Sequence, residues 1–439
     1  MINKLIALIF FLIIQSSFIY CAETINEDEM FSDPEMIIQT PLNKNNDLAV
    51  EEKKSLGFSG EITSAFSDII YSTGTRNALY TYTVANAFFD VRMRNDLKAF
   101  ANLETTYWGQ SKTSDIALRE LFFDFDYRRR VYLRTGKQVL QWGRCYLWNP
   151  TDLINIEKKS FVRKIGYREG AYGMKLQIPF GTKYNIYSFL DTGNAASGED
   201  VGAALKFEFL TGKTEMAFSG WTKKAYHPVF GYDFSTRIKD LDVVGELTVS
   251  QKDNTRQIRE EQGQLEIYQK DKKIVPKTSL GLTKGFRLGN FNDCLSVTSE
   301  FYYNHNGYQE DLFNDPTVYP YRAPIVSRDA AGAMVSQTSG TKKDFLTAHN
   351  LYEVHNYSRC YGAIFASVGR LFITELVLNI NYIRNFHDRS GIISSGLSYK
   401  NLSDFSAGIL FNTFLGKDNR EYTFNKEKHN IQLTCGVAF

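Results

Sequence analysis

The feature of this sequence that most constrains its fold is an alternation of apolar and polar residues with a period of two. The run "ELFFDFDY" at residues 120–127 places apolar residues at every odd position and mostly acidic residues at the even positions. Successive side chains of a β-strand point to opposite faces, so such a run predicts a strand with one apolar and one polar face. Runs of about 8 to 11 residues follow one another from Leu56 onward. The chain is therefore predicted to be all-β.

Eighteen runs are predicted to form strands, at residues 57–66, 79–91, 97–108, 117–127, 131–140, 170–178, 183–190, 201–210, 213–221, 229–238, 241–250, 278–286, 293–303, 361–368, 373–384, 393–400, 405–412 and 431–439. Strand ends are the least reliable part of such an assignment, so roughly sixteen to eighteen strands are expected.

The links between these runs alternate in length. Links after even-numbered runs are short, such as "RRR" at 128–130 and "TG" at 211–212, whereas links after odd-numbered runs are longer and polar. Short turns at one end and long loops at the other are typical of an outer-membrane barrel, whose apolar band faces lipid. Backbone groups inside a bilayer must all be hydrogen-bonded, so such a sheet has to close. The prediction is a transmembrane antiparallel β-barrel with short periplasmic turns and long extracellular loops.

The first residues, "MINKLIALIFFLIIQSSFIYCAET", predict export. Lys4 precedes an apolar stretch and then mostly small residues, as in a secretory signal peptide at residues 1–22 that is cleaved after Cys21 or Ala22. The apolar stretch is shorter than the roughly 20 residues that a membrane-spanning helix needs. Lipidation of Cys21 is the alternative, although Tyr20 is bulky for that signal.

Two further segments complete the predicted organisation. Residues 23–55 are polar and acidic and are expected to form a periplasmic lead segment, followed by the barrel at residues 56–439.

The chain ends in an alternating run closed by Phe439, which resembles the C-terminal signal read by the barrel-assembly machinery. We therefore expect the outer membrane of a diderm bacterium as the location and its lipid as a partner. Interfacial aromatic girdles are expected from Tyr107, Tyr127, Tyr302, Tyr303 and Tyr399.

Composition and motifs argue against several other functions. The 51 basic and 49 acidic side chains nearly balance, so no nucleic-acid partner is expected. Cysteines and histidines are scattered, so no metal site is expected, and no phosphate-binding loop, nucleophile elbow or zinc-protease motif occurs. The chain is expected to need no cofactor and not to be an enzyme.

The third long link, residues 141–169, stands out by its content. It begins "QWGRCYLWNPTDLIN" and carries six basic and three acidic residues. We expect it to bend into the channel, where an excess of positive charge would favour anionic solutes such as carboxylates or phosphate. The alternative is that these charges form a solvated outer face. With a strand arginine of polar-face parity, the candidate pore-lining residues are Arg134, Arg144, Asp152, Arg163, Lys164, Arg168 and Glu169.

The stretch "LRTGKQVLQWGRCYLWNPTDLIN", followed by "REG" at 168–170, resembles a pattern of bacterial outer-membrane porin-like proteins. In that pattern a strand with Gly-Lys/Arg-Gln is followed by Trp-Gly, then by Asn-Pro-x-Asp, then by Arg-Glu-Gly. The motif residues, with the second tryptophan of the loop, are Gly136, Lys137, Gln138, Trp142, Gly143, Trp148, Asn149, Pro150, Thr151, Asp152, Asn155 and Gly170. The chain departs from the pattern where Ile156 replaces a proline. The resemblance implies an outer-membrane channel, a structural role for the motif and no catalytic residues.

An eighteen-stranded barrel is too wide to be filled by its own inward side chains and leaves an aqueous channel. The sequence therefore predicts a porin-like outer-membrane channel for passive diffusion of small hydrophilic solutes, with the 141–169 loop at the pore mouth. The alternative is a surface adhesin or interaction barrel that binds a partner through its longest loop, residues 304–360. Association of three barrels into a homotrimer, as in many porins, is left open.

Overall fold

The computed structural model describes residues 55–72, 78–93, 97–154, 170–193, 195–252, 254–269, 274–289, 291–328, 334–401 and 404–439. In these ranges the strands are β1 Ser55–Tyr71, β2 Ala78–Arg92, β3 Lys98–Trp108, β4 Thr113–Tyr127, β5 Val131–Gln138, β6 Ala171–Phe180, β7 Tyr184–Asp191, β8 Gly202–Thr211, β9 Thr214–Thr222, β10 Val229–Ile238, β11 Leu241–Ser250, β12 Gln257–Glu261, β13 Gln264–Tyr268, β14 Val275–Leu288, β15 Phe291–Asn304, β16 Tyr319–Arg328, β17 Met334–Gly340, β18 Cys360–Val368, β19 Leu376–Asn385, β20 Gly391–Lys400, β21 Phe405–Leu415 and β22 Glu427–Ala438. Helix α1 is Lys342–Ala348, and 3₁₀ turns lie at Gly198–Asp200 and Leu312–Asn314. None of the helices in the described ranges has the length and apolar character to cross a membrane.

Eighteen of the described strands form one antiparallel sheet that closes into a barrel. Each barrel strand pairs with the next one along the chain, with β11 pairing β14 and β15 pairing β18 across long insertions. The barrel closes where β22 pairs with β1. All eighteen predicted strands occur in this barrel, and β10 and β11 match their predicted bounds to the residue. The predicted fold is confirmed.

The outward face of the barrel is apolar. On β4, Leu121 and Phe123 are 48% and 52% exposed, whereas the inward Phe122 between them is 5% exposed. The same pattern repeats on other strands, with Leu205 on β8 and Ile364 on β18 exposed to 56% and 50%. An apolar surface that continues from strand to strand around a barrel is suited to contact with lipid hydrocarbon rather than with water. The polar partners of the alternation line the inside.

The last residue lies at the seam where the barrel closes. The backbone N–H of Gly60 donates to the carbonyl of Phe439 at 2.7 Å, and the N–H of Phe439 donates back to Gly60 at 2.9 Å. The Phe439 ring contacts that of Phe58, with centroids 6.1 Å apart, and covers the position where Gly60 lacks a side chain. Reading of this residue by the assembly machinery stays a prediction.

Four shorter strands are not among the predicted ones, because they lie inside the long links 251–277 and 304–360. β12 and β13 form a hairpin, β16 and β17 form a second, and one bridge between Leu265 and Tyr321 joins them. These strands and α1 share a core of their own, which contains Ile258, Leu265, Leu312, Phe313, Tyr321, Ile325, Phe345, Leu346 and Tyr357. The apolar residues of the hairpin stand between charged ones, as in "IREEQGQLEI", so no long period-two run marked them. β12, β13, β16, β17 and α1 thus form a small folded unit at the long-loop end of the barrel.

Gly136 on β5 is a position where a side chain does not fit. Its φ is +123°, and a Cβ there would lie 2.2 Å from the carbonyl oxygen of Leu121 and 2.9 Å from the Cα of Phe122. We expect Gly136→Ala to lower sharply the yield of heat-modifiable, folded barrel, because β5 would have to move away from β4. Gly181→Ala is the control, since Gly181 also has a positive φ, +62°, but has open space around it. Equal yields for the two variants would show that the close β4–β5 contact is absent.

Candidate functional site

The chain leaves β5 and turns into the barrel, where residues 141–154 lie along the inner wall. Trp142 and Trp148 are each 5% exposed. Trp142 packs with inward residues of β7 and β8, whereas Trp148 packs with inward residues of β15 and β18. β5 is the fifth barrel strand and β18 the fourteenth, so the loop reaches the wall opposite its origin. We call residues 141–154 the inner loop.

Glu246 on β11 holds the middle of the inner loop. The backbone N–H groups of Arg144 and Cys145 donate to its Oε1 at 2.6 and 2.7 Å. The backbone N–H and the hydroxyl of Thr151 donate to its Oε2 at 3.0 and 2.7 Å. Hydrogen bonds to an ionised acceptor are stronger than neutral ones, so one buried side chain fixes two separate points of the loop.

Glu300 on β15 holds the far end of the loop in the same way. Its carboxylate accepts the backbone N–H groups of Tyr146 at 2.8 Å, Leu147 at 3.1 Å and Trp148 at 2.6 Å. Three successive N–H groups that point at one anion form a concave backbone nest. Buried loop backbone must be hydrogen-bonded, and here the barrel wall supplies the acceptor.

Arg144 connects the inner loop to three wall carboxylates. Its Nε donates to Asp233 on β10 at 2.5 Å, its Nη1 to Glu215 on β9 at 2.6 Å and its Nη2 to Glu208 on β8 at 3.1 Å. Burial opposes the charge of Arg144, yet these contacts raise its pKa above the ordinary value. Lys206 completes the cluster, since its Nζ lies 3.2 Å from Asp233 and donates to the carbonyl of Trp142 at 2.7 Å. Arg144 is thus a tether to the wall rather than a cation left unpaired in the channel.

Contacts within the inner loop give it a fixed shape. The N–H of Asp152 donates to the carbonyl of Asn149 at 3.1 Å, which closes a tight turn with Pro150 at its second position, where proline is favoured. The N–H of Trp142 donates to Asp152 Oδ1 at 3.4 Å. Gly143 lies against Asn149, and a Cβ there would be 2.4 Å from the Asn149 Cβ. The two ends of the described loop are therefore pressed together, and glycine is required at the contact.

Trp148 joins the inner loop to the long outer link. Its ring stacks on Tyr302 of β15, with centroids 5.5 Å apart and planes 5° apart, and contacts Tyr361 of β18. Its Nε1 donates to the carbonyl of His355 at 2.8 Å. The expectation that Tyr302 belongs to a lipid-facing girdle is wrong: it is 4% exposed and inward, as the alternation requires when Tyr303 next to it faces outward.

A buried acid, Glu421 in the link between β21 and β22, supports this junction. Its carboxylate accepts from Tyr361 Oη at 2.9 Å, Asn385 Nδ2 at 2.7 Å and the His355 N–H at 3.2 Å. Burial, followed by the nearby charge of Asp388, raises the pKa of Glu421 to about 8.

The raised pKa of Glu421 predicts a pH-dependent stability. The folded protein binds this proton more tightly than the unfolded chain, so the stabilisation is complete below the ordinary pKa of 4.5 and is lost as the pH rises through about 8. We expect the temperature at which the folded band disappears in gel-shift assays to fall over this window. Glu421→Gln should flatten the dependence, whereas Glu353→Gln, at an exposed carboxylate nearby, should leave it intact. A wild-type profile that is flat, or one that Glu421→Gln does not change, would contradict the assignment.

The remaining residues predicted from the sequence are a pore-lining candidate, two residues of the structural motif and a set that lies outside the described ranges. Arg134 is inward on β5, where its Nε and Nη2 bind Asp124 at 2.6 and 2.8 Å. Gln138 is fully buried and donates to the Gly173 carbonyl at 3.3 Å, while Gly170 lies so close to Arg119 that a Cβ would be 2.5 Å from its carbonyl. Outside the described residues lie Asn155, Arg163, Lys164, Arg168 and Glu169.

Sequence reasoning missed the wall residues that hold the loop, because Glu246 and Glu300 looked like ordinary polar-face charges. The sequence does contain a signal for one pair of acidic residues on neighbouring strands. Asp233 and Glu246 are directly opposite each other on neighbouring inward faces, and like charges so placed need a compensating partner.

The sequence reasoning also did not single out Tyr146, which is 53% exposed with its ring 4.7 Å from that of Phe365 and so borders the open lumen. Within the described ranges no three His, Cys, Asp or Glu side chains are grouped in a way that could hold a metal ion.

Comparisons with known proteins identify the fold. No protein-family model matches the chain, and no curated protein matches it in sequence. Solved structures of OprD/Occ outer-membrane porins, however, are similar to it. OccK8 (OprE) of Pseudomonas aeruginosa has a TM-score of 0.55 at 6% identity, over 88% of this chain and 98% of that one. OccAB1 of Acinetobacter baumannii has a TM-score of 0.52 at 9% identity, over 88% and 96%. OccK2 (OpdF) of Pseudomonas aeruginosa, in complex with glucuronate, has a TM-score of 0.51 at 10% identity, over 88% and 98%. At these identities the likeness shows the fold, an eighteen-stranded porin-type barrel.

Proposed function

We propose that this chain is an outer-membrane channel for passive diffusion of small hydrophilic solutes, narrowed by its own inner loop. The observation that carries the proposal is the anchoring of the inner loop to Glu246 and Glu300 inside a closed barrel with an apolar outer face. A barrel of this width leaves an aqueous lumen, and a loop fixed across it sets the size limit. In this proposal the short turns face the periplasm and the long loops face outward. Recognition of Phe439 in assembly and association into a homotrimer remain predictions.

Liposome swelling tests the proposal directly. Vesicles that contain the purified, heat-modifiable protein should swell in small neutral solutes and swell more slowly as solute size increases. Protein from the same preparation that has been unfolded by heating is the control. Folded protein that gives no more swelling than the heated control would exclude a diffusion channel.

We also propose that the channel prefers anions, through basic residues of the 141–169 link. Support comes from the sequence, since five of its six basic residues lie beyond the described inner loop, and from OccK2, a structure of the same fold in complex with glucuronate. Arg144 does not produce such a preference by itself, because the three wall carboxylates that it contacts outnumber its single positive charge.

Reversal potentials in a salt gradient test the anion preference. Replacing Arg163, Lys164 and Arg168 together by Gln should move the reversal potential toward cation selectivity, because positive charge near the narrowest point sets selectivity. The matched control replaces Arg128, Arg129 and Arg130, in the short turn between β4 and β5, and removes equal charge at the opposite end of the barrel. Equal shifts for both triple variants would reject a special role for the link.

A second function is favoured by one specific observation. The described parts of the 251–274 and 304–360 links form a folded unit with its own core, and such a unit is suited to present a binding surface at the long-loop end. Deleting residues 319–340 should abolish partner binding and leave swelling unchanged if this unit makes the barrel an adhesin.

A further inference from the structure

Three phenylalanine rings form a row on the inside of the barrel. Phe122 on β4 faces inward, since its neighbours Leu121 and Phe123 are exposed on the lipid side. Phe100 on β3 is directly opposite Phe122, and Phe88 on β2 is directly opposite Asn102, two residues from Phe100, so all three rings share that face. Ring centroids are 6.4 Å apart between the first two and 5.4 Å apart between the last two. Lipid does not explain apolar rings on the wet face, and the inner loop packs instead against β7 to β11 and β15 to β20. We call these residues the phenylalanine row.

The phenylalanine row is held rigidly. Phe100 and Phe122 are directly opposite each other in neighbouring strands, and Phe122 is directly opposite Gly136, which has no side chain. The guanidinium of Arg134 lies 3.9 Å from the centroid of the Phe122 ring, which is only 5% exposed. Phe122 therefore supports the row from behind, and the two partly exposed rings, Phe88 and Phe100, are those that a solute can contact. A surface fixed in this way loses little conformational freedom when a ligand binds.

The charges around the phenylalanine row balance as a group. Asp90 contacts Lys98 at 3.2 Å and Arg92 at 3.8 Å, Arg119 contacts Glu104 at 2.6 Å, and Arg134 contacts Asp124 at 2.6 Å. Lys175, directly opposite Arg134, adds one base, while Glu61 and Glu120, directly opposite Asn86 and Asn102, add two acids. Paired charges offer hydrogen-bonding atoms without a strong net field. The surroundings of the row therefore favour a neutral polar ligand over an ion.

Two carboxylates beside the row present oxygen atoms to the lumen. Asp90 on β2 is directly opposite Phe100, and Asp124 is two residues after Phe122 on the same face of β4. Their side chains are 34% and 28% exposed although each contacts a basic residue. An ionised carboxylate has several acceptor positions, so a ligand with hydroxyl donors can bind beside these residues.

We propose that the phenylalanine row is a stacking site for the ring of a neutral hexose in transit; the proposal rests on the channel function proposed above. One face of a pyranose ring presents C–H groups and packs on phenyl faces, while its hydroxyl groups at the edge reach acceptors such as the carboxylates of Asp90 and Asp124. Sites that combine apolar surface with a few placed polar groups are the usual design for small ligands. The row would make the channel prefer hexoses among neutral solutes. The proposed anion preference is separate, since it comes from the basic residues of the 141–169 link.

Blockade of ion current in a planar bilayer tests the proposal, with D-glucose as the probe. Sorbitol is the solute control, because it carries similar hydroxyl groups without a ring. Glucose should reduce the current in a saturable manner and sorbitol should not. Phe88→Leu/Phe100→Leu keeps apolar bulk but removes two flat faces, and it should raise the half-blocking glucose concentration about tenfold. Phe123→Leu/Phe125→Leu, on the lipid face of β4, should leave that concentration unchanged.

Each other outcome has a defined meaning. Equal blockade by sorbitol, or no effect of the Phe88→Leu/Phe100→Leu variant, would overturn the stacking site. A conducting channel that glucose does not block up to its solubility limit would do the same and leave the proposed channel function standing. Folded protein that passes no current would overturn the channel itself.

Discussion

Replacing Glu246 and Glu300 together by alanine is expected to release the inner loop and raise the conductance of the barrel severalfold. The two carboxylates accept the N–H groups of five loop residues, Arg144 to Trp148, and both donors of Thr151. Leaving a buried donor without an acceptor costs about 1–3 kcal/mol each, so the loss of all these acceptors is expected to outweigh the contacts of Arg144 and of the two tryptophans that remain. Single-channel recording of the refolded variant measures the effect.

The control for the released loop is Asp126→Ala/Asp242→Ala. It also removes two inward carboxylates, on β4 and β11, but at the short-turn end, where Asp126 and Asp242 contact Arg129 and Arg237 rather than the loop. If the control changes conductance as much as the Glu246→Ala/Glu300→Ala variant, lost charge rather than loop release is responsible. Unchanged conductance in both variants would show that the inner loop does not narrow the channel.

Arg144→Met is expected to destabilise the folded barrel and to make the channel more cation-selective. Asp233 is fully buried, and truncating one partner of a buried ion pair costs about 3–5 kcal/mol. Lys206 alone would remain beside Asp233, while Glu208 and Glu215 would face the lumen without a cation from the loop. The melting temperature of the heat-modifiable form should fall, and the reversal potential should move toward that of the cation.

A second substitution separates these two effects. Adding Asp233→Asn to Arg144→Met removes the buried charge and should restore part of the lost stability. The cation selectivity should persist, because Glu208 and Glu215 are retained. If Arg144→Met alone melts like the wild type, Arg144 does not tether the loop to the wall.

The barrel could be read from the sequence because its signal is local. Each strand is marked within about ten residues by the period-two alternation of apolar and polar side chains. The run "ELFFDFDY" therefore predicts a strand without any knowledge of the residues that pair with it. The hairpin β12–β13 shows the limit of that signal. Its strands have five residues each, and Ile258 and Leu265 are separated by charged residues, of which Arg259 and Glu261 form an ion pair on the surface.

The anchoring of the inner loop could not be read because it joins residues that are far apart in sequence. Glu246 and Glu300 lie about one hundred and one hundred and fifty residues after the loop segments that they bind. The sequence indicated that the loop turns inward, and it predicted that Arg144 lines the pore and attracts the solute. In the fold the Arg144 guanidinium instead binds the carboxylates of Asp233, Glu215 and Glu208. Which polar-face charge meets which loop atom depends on barrel registers that alternation does not fix.

The single-channel conductance of the wild-type protein tests the constricted channel most directly. Folded, heat-modifiable protein should insert in discrete current steps, each smaller than an empty eighteen-stranded barrel would give, because the inner loop fills part of the lumen between β7 and β18. Folded protein that gives no steps would contradict the channel, and steps as large as those of an unobstructed barrel would contradict the constriction.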